Sequence, residues 1–137
     1  MSKQVKIEYT IQASGTVPQI VKALIQTLKT KRFDVLSNID ISKIIKEKTG
    51  ENMDSYVILD VCNPKDAECA LDAHKEVGLV LPWKITVYKN DDKVWVSLYK
   101  PTEALKVLGL SDLEPLAEEV EMELKEAINA IAANHGD

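Results

Sequence analysis

The chain is short of the residues that usually announce chemistry. Its 137 residues include two cysteines, two histidines and five glycines, and aromatic residues make up only 5%. Two cysteines, Cys62 and Cys69, are too few for a disulfide framework and suit a reducing compartment. The glycines are dispersed and form neither GxGxxG nor a P-loop, which weighs against a nucleotide enzyme. There is no CxxC and no paired-histidine motif. A metal would have to draw on Cys62, Cys69, His74, Asp60 or Asp66. Cys69 and His74, five apart on one helix, do not share a face. No metal site and no cofactor are expected.

Long apolar runs are missing too. None approaches the roughly 20 residues needed to cross a membrane, and Met1–Gln4 has no signal-like character. A cytoplasmic protein with no membrane partner is expected. Nor is there an excess of basic charge: 17 Lys and Arg stand against 22 Asp and Glu, for a net charge of −5. Nucleic acid is therefore not an expected partner, because binding it requires a basic surface to displace counterions. The cluster Lys29–Arg32 closes a helix, where cations suit the dipole.

What the chain does have is a hydrophobic content of 45%, ample for one domain over residues 1–137. Its centre is Tyr56–Cys62, a short apolar and β-branched run that reads as an interior strand. Asn63 is a favoured helix N-cap and Pro64 suits the first helical position. Ala67, Ala70, Leu71, His74 and Val77 follow at helical spacing, and Gly78 ends that helix.

Cys62 thus stands one residue before a helix cap, where unpaired amides and the dipole can lower a thiol pKa. Asp60, two residues earlier, shares its strand face and is a candidate to tune the thiol. The plainer reading is a buried structural cysteine, the more common fate of the residue type. A Cys62–His74 nucleophile pair is excluded within one subunit, since three helical turns, about 16 Å, separate the two. His74 itself falls on the apolar stripe of its helix, where a satisfied core histidine is the ordinary case.

The chain before and after this run alternates strands and helices. Val5, Ile7, Tyr9, Ile11 and Ala13 alternate with polar residues and predict a strand with one wet face. Thr16–Gln19 matches a capping box, and Val17, Ile20, Val21, Leu24, Ile25 and Leu28 form the stripe of the first helix. Phe33–Ile39 follows as a second strand, compatible with a crossover that sets the two strands parallel. Asp40 caps a brief helix that ends at Gly50.

Trp83–Lys89 and Lys93–Lys100 flank Asn90–Asp92 as a hairpin. A register pairing Lys89 with Val94 puts Val87, Val96, Ile85 and Leu98 on one face. Tyr88, Trp95 and Tyr99 then share the other, an aromatic face that a single helix layer need not cover. Exposed aromatics on a sheet mark a ligand surface or a subunit interface, unless another element of the same chain covers them. Pro101-Thr102 starts a short helix, and Ser111–Pro115 starts a long last one with the stripe Leu116, Val120, Leu124, Ile128 and Ile131. The glutamates on its other side read as a solvated face, and the tail from Asn134 as frayed.

Three features resemble the bacterial and archaeal family catalogued as domain of unknown function 302. They are Lys31–Asp40 before a short helix, the strand ending in Cys62-Asn63-Pro64, and Gly78–Pro82 before the hairpin. The resemblance covers roughly Val5 to Thr102. It implies a compact α+β fold, one two-layer domain with a mixed or antiparallel sheet of about five strands and helices packed on it. It also implies a homodimer, and no activity. By the same resemblance Asn63, Pro64, Leu81 and Pro82 are the family's recurrent positions. The long C-terminal helix extends past that core.

Two readings follow. The first is a homodimeric module that binds a small ligand or a partner without catalysis, using Asn63, Pro64, Tyr88, Trp95 and Tyr99 as ligand or interface residues. The second is a thiol-dependent redox or sensing protein, with Cys62 reactive and Asp60 beside it.

Overall fold

The computed structural model describes residues 6–134, so Val5 and the tail from His135 lie outside the described residues. The first helix, α1 (Val17–Thr30), shows how closely local sequence dictates local structure. The Thr16 hydroxyl accepts the Gln19 amide at 3.3 Å, and Gln19 Oε1 accepts the Thr16 amide at 2.9 Å. Val17, Ile20, Val21, Leu24 and Leu28 are its buried stripe. Leu24 is fully enclosed, and truncating such a side chain to alanine costs about 2–5 kcal/mol. At the far end Arg32 takes a positive φ of 67°, so the chain doubles back and the Phe33 amide reaches the Leu28 carbonyl.

Among the described residues five strands form one sheet: β1 (Glu8–Ala13), β2 (Asp34–Asp40), β3 (Tyr56–Cys62), β4 (Trp83–Asn90) and β5 (Lys93–Tyr99). Their order is β1-β5-β4-β3-β2, and every neighbouring pair is antiparallel. The crossover through α1 therefore spans the whole sheet. β1 and β2 run in the same sense, as the crossover geometry predicts, but they occupy opposite edges.

The remaining helices are α2 (Ile41–Thr49), α3 (Pro64–Ala73), α4 (Pro101–Leu108) and α5 (Glu114–Asn134), with 3₁₀ turns at Lys75–Leu79 and Ser111–Leu113. The fold is α+β. α1 and α5 lie together on one face of the sheet, where Leu59, Ile85, Val87, Val96 and Leu98 meet Leu124, Ile128 and Ile131 in a single core.

The β4–β5 hairpin has the expected register, with Lys89 opposite Val94, Tyr88 opposite Trp95 and Ile85 opposite Leu98. Its loop is two residues, Asp91 and Asp92, both at positive φ as a type I′ turn demands. Three details differ from the sequence reading. The helix after Pro64 stops at Ala73 rather than reaching Gly78, because His74 goes extended and a 3₁₀ turn follows. His74 consequently leaves the apolar stripe: half-buried, it bonds both Asp112 oxygens at 2.8 and 2.9 Å. And the glutamate side of α5 is not all solvated. Glu121 reaches α4 and accepts the Thr102 amide at 3.0 Å and hydroxyl at 2.7 Å, capping a helix whose own N-cap, Lys100, has no acceptor.

Candidate functional site

Cys62 lies where the strand-to-helix pattern put it, at the end of β3 and before the α3 cap. The Asn63 side chain accepts the Lys65 and Asp66 amides at 3.0 and 3.2 Å, with Pro64 next in line. That bonding has a consequence for the thiol. The cap's own oxygen takes two of the amides that would otherwise solvate a thiolate.

The thiol is buried in a crevice of about 10 Å³, closed by Ala70, Leu81, Trp83 and Leu116 and large enough for about one water. Burial pushes its pKa up, and the Asp34 and Asp66 carboxylates push it further. The activation expected of a helix start is therefore reversed in sign. Cys69 is the exposed cysteine, on α3. Leu81 and Pro82, joined by a cis peptide, lead into β4 past the same crevice.

Asp60 does not serve the thiol. Its carboxylate bonds the Lys84 ammonium across the β3–β4 ladder and the Ser37 hydroxyl across β2–β3. Burial pushes its pKa up, but the Lys84 and Ser37 bonds outweigh this and hold the carboxyl below its usual value. Asp60 is thus a charged tie between three strands, on the face of the sheet away from α1 and α5.

That face is the most distinctive surface of the molecule. Tyr88 and Trp95 are opposite each other across β4–β5, and Tyr56 is opposite Tyr88 across β3–β4. The Tyr56 and Tyr88 rings stack with centroids 5.0 Å apart and planes 11° from parallel. Ile58, Thr86 and Ser97 continue the surface, all half-buried, and Thr10 Oγ1 and Ser97 Oγ bond at 2.8 Å, whereas Tyr99, expected on this face, packs against the core. Burial, with Tyr56 and Glu8 nearby, raises the Tyr88 phenol above its usual pKa. None of Tyr56, Ile58, Tyr88 or Trp95 belongs to the packed core.

Tyr56 is the residue that sequence reasoning missed as part of this face. Its alternation with Val57 was legible, but its aromatic partner depends on a β3–β4 register that no short turn fixes. The face brings Tyr88 and Trp95 together with Tyr56. Asn63 and Pro64 belong to the α3 start at the end of β3, and Cys62 is shut away beneath that helix. Among the described residues no group of His, Cys, Asp or Glu side chains is arranged to hold a metal ion. No helix there is long and apolar enough to cross a membrane.

The family model for the domain of unknown function DUF302 matches residues 9–131. In three dimensions the chain is similar to the crystal structure of an uncharacterised conserved DUF302 protein from Bacillus stearothermophilus. The TM-score is 0.88 at 27% identity, over 93% of this chain and 99% of that one. Among curated proteins none matches. A match of this extent, from β1 to the end of the α5 stripe, makes the chain a member of the DUF302 family.

Proposed function

We propose that this protein is a non-catalytic binding module that works as a homodimer through the open aromatic face of its sheet. One observation carries the reading: Tyr56, Tyr88 and Trp95 form a continuous, half-buried aromatic surface outside the packed core. Aromatic residues give large contact area at low entropic cost and are enriched where proteins meet partners or ligands. Around them Thr10, Thr86 and Ser97 offer hydroxyls, and Lys84 with Asp60 supplies paired charge. An aromatic centre with a polar border is the composition of an interface or a shallow ligand seat.

A subunit contact and a ligand seat on this face make different demands on Trp95. Sedimentation of wild type and Trp95→Ala at low micromolar concentration separates them. A dimer that Trp95→Ala converts to monomer, with unchanged far-ultraviolet dichroism, supports the interface. A Trp95→Ala protein that stays dimeric removes that role. A wild type that is monomeric throughout overturns the homodimer.

The thiol reading has less support. A redox or sensing role for Cys62 needs an accessible thiolate, and the raised pKa and closed crevice oppose both.

A further inference from the structure

The two edges of the sheet are protected to different degrees. An edge strand leaves backbone groups open to any other strand, and charge, bulges or proline ordinarily blunt it. β2 is blunted. It has a bulge between Val35 and Ser37 and a carboxylate at each end. Antiparallel pairing of β2 with itself about Ser37 sets Asp34 against Asp40 at both ends, and like charges directly opposed destabilise a ladder. β1, six residues long, has neither bulge nor proline, and Glu8 is its one charge.

The Lys100 amide donates to the Ile7 carbonyl at 2.9 Å, so Ile7 turns its backbone toward β5. Residues of an antiparallel strand alternate in this respect. Tyr9, Ile11 and Ala13 therefore turn toward β5 as well, and Glu8, Thr10 and Gln12 turn N–H and C=O outward. Among the described residues those outward groups have no hydrogen-bond partner, since β1 has β5 alone beside it. On the core side of this edge Tyr9 and Ile11 are only half-buried. Ile7 and Met122 beside it are more than half exposed: Ile7 precedes β1, and Met122 lines one groove with Lys125 and Asn129, which both contact Tyr9.

β1 matches itself. Turned antiparallel about Thr10, Glu8 stands opposite Gln12 of a second copy, Tyr9 opposite Ile11, and Thr10 opposite its own counterpart. The single carboxylate meets an amide that can donate to it, and does so twice by symmetry. Threonine opposite threonine and an aromatic opposite a β-branched residue are both favourable cross-strand pairs. Every outward N–H and C=O of Glu8, Thr10 and Gln12 then has a partner.

We propose that β1 is a self-association edge, pairing antiparallel with β1 of a second copy and joining two sheets into one about a two-fold axis at Thr10. This contact is separate from the one on the open face and does not rest on it; chains that use both form a tetramer. An edge buries less surface than a whole sheet face, so it forms at submillimolar rather than low micromolar concentration.

Amide hydrogen exchange by NMR, at tens of micromolar and at millimolar protein, examines the edge directly. Exchange at Glu8, Thr10 and Gln12 is expected to slow several-fold at the higher concentration, in wild type and in Trp95→Ala alike. The Tyr9 and Ile11 amides, already turned to β5, should not change. Thr10→Lys sets two ammonium groups against each other at the axis, and added to Trp95→Ala it should leave a monomer where Trp95→Ala alone associates. Register is read by cross-linking. Facing residues of a bonded pair have Cα atoms about 5.5 Å apart, within disulfide reach. In a Cys69→Ser, Trp95→Ala background, Glu8→Cys mixed with Gln12→Cys should oxidise to a linked dimer many-fold faster than either variant alone. Exchange rates that ignore concentration, a Thr10→Lys protein that associates as before, or equal linking of mixed and single variants would each overturn the proposal.

Discussion

Tyr56 and Tyr88 stack across the β3–β4 ladder, centroids 5.0 Å apart and nearly parallel, on the side of the sheet that carries no core. Two rings from neighbouring strands, held flat against one another and half open to solvent, are a rigid platform. Fixed geometry of this kind contributes to any contact made there because its side-chain entropy is already spent.

The stack itself should be measurable. A double-mutant cycle on Tyr56→Ala and Tyr88→Ala, read by urea denaturation, is expected to give a coupling of about 0.5–1.5 kcal/mol. A coupling indistinguishable from zero would mean that the rings merely occupy adjacent space.

Asp60 ties β2, β3 and β4, and Asp60→Asn removes its charge while keeping its shape. The expected cost at neutral pH is on the order of 1 kcal/mol, reduced from the value of a buried charged bond because Lys84 is half exposed. Because the folded carboxyl lies below its usual pKa, this stability is present above the unfolded pKa, about 3.9. It disappears as pH falls through the lower folded value. Thermal melts of both proteins from pH 7 to 2.5, a window of roughly that reach, should therefore converge at the acid end.

Glu123 titrates in the opposite sense. Burial raises its pKa, and the neighbouring Glu119 and Asp66 raise it more. A carboxyl raised in the folded state favours folding below its unfolded pKa and loses that contribution as pH rises through the folded value. Glu123→Gln should accordingly raise the melting temperature at pH 7. The advantage should shrink in acid, below the ordinary glutamate pKa of about 4.3. A variant that melts lower than wild type at pH 7 would show that Glu123 contributes more through its packing on α5.

Alkylation separates the two cysteines. Cys69, exposed on α3, is expected to react in the folded protein, whereas Cys62 stays protected until the chain opens. In a Cys69→Ser background, mass spectrometry against pH should place any folded-state reaction of Cys62 above the ordinary thiol range, near 8.5. A midpoint near neutrality would restore the thiol as a functional group.

The helix starts were legible because each rests on a few adjacent residues: Thr16 with Gln19, Asn63 with Pro64, and Asp40 ahead of α2. The hairpin register followed from its turn. What failed to show was whatever depends on residues distant in sequence. The sequence gives Cys62 a helix start but not the Trp83 and Leu116 that close over it, nor the Asp34 and Asp66 that act on its charge. Asp60 looked like a neighbour of the thiol until β2 and β4 supplied Ser37 and Lys84. The cleft between α1, the end of β2 at Asn38 and Asp40, and Ser55 and Val57 is wholly a product of assembly, since its walls come from three separate stretches of chain.

The placement of β1 and β2 at opposite edges bears on how the molecule comes into being. β2 through β5 pair in the order in which they are made, each with the strand before it. β1, made first, pairs only with β5, so that Thr10 meets Ser97 across 87 residues. On the ribosome the earliest strand is therefore the last to find its place, and closing that longest loop is the step that completes the sheet.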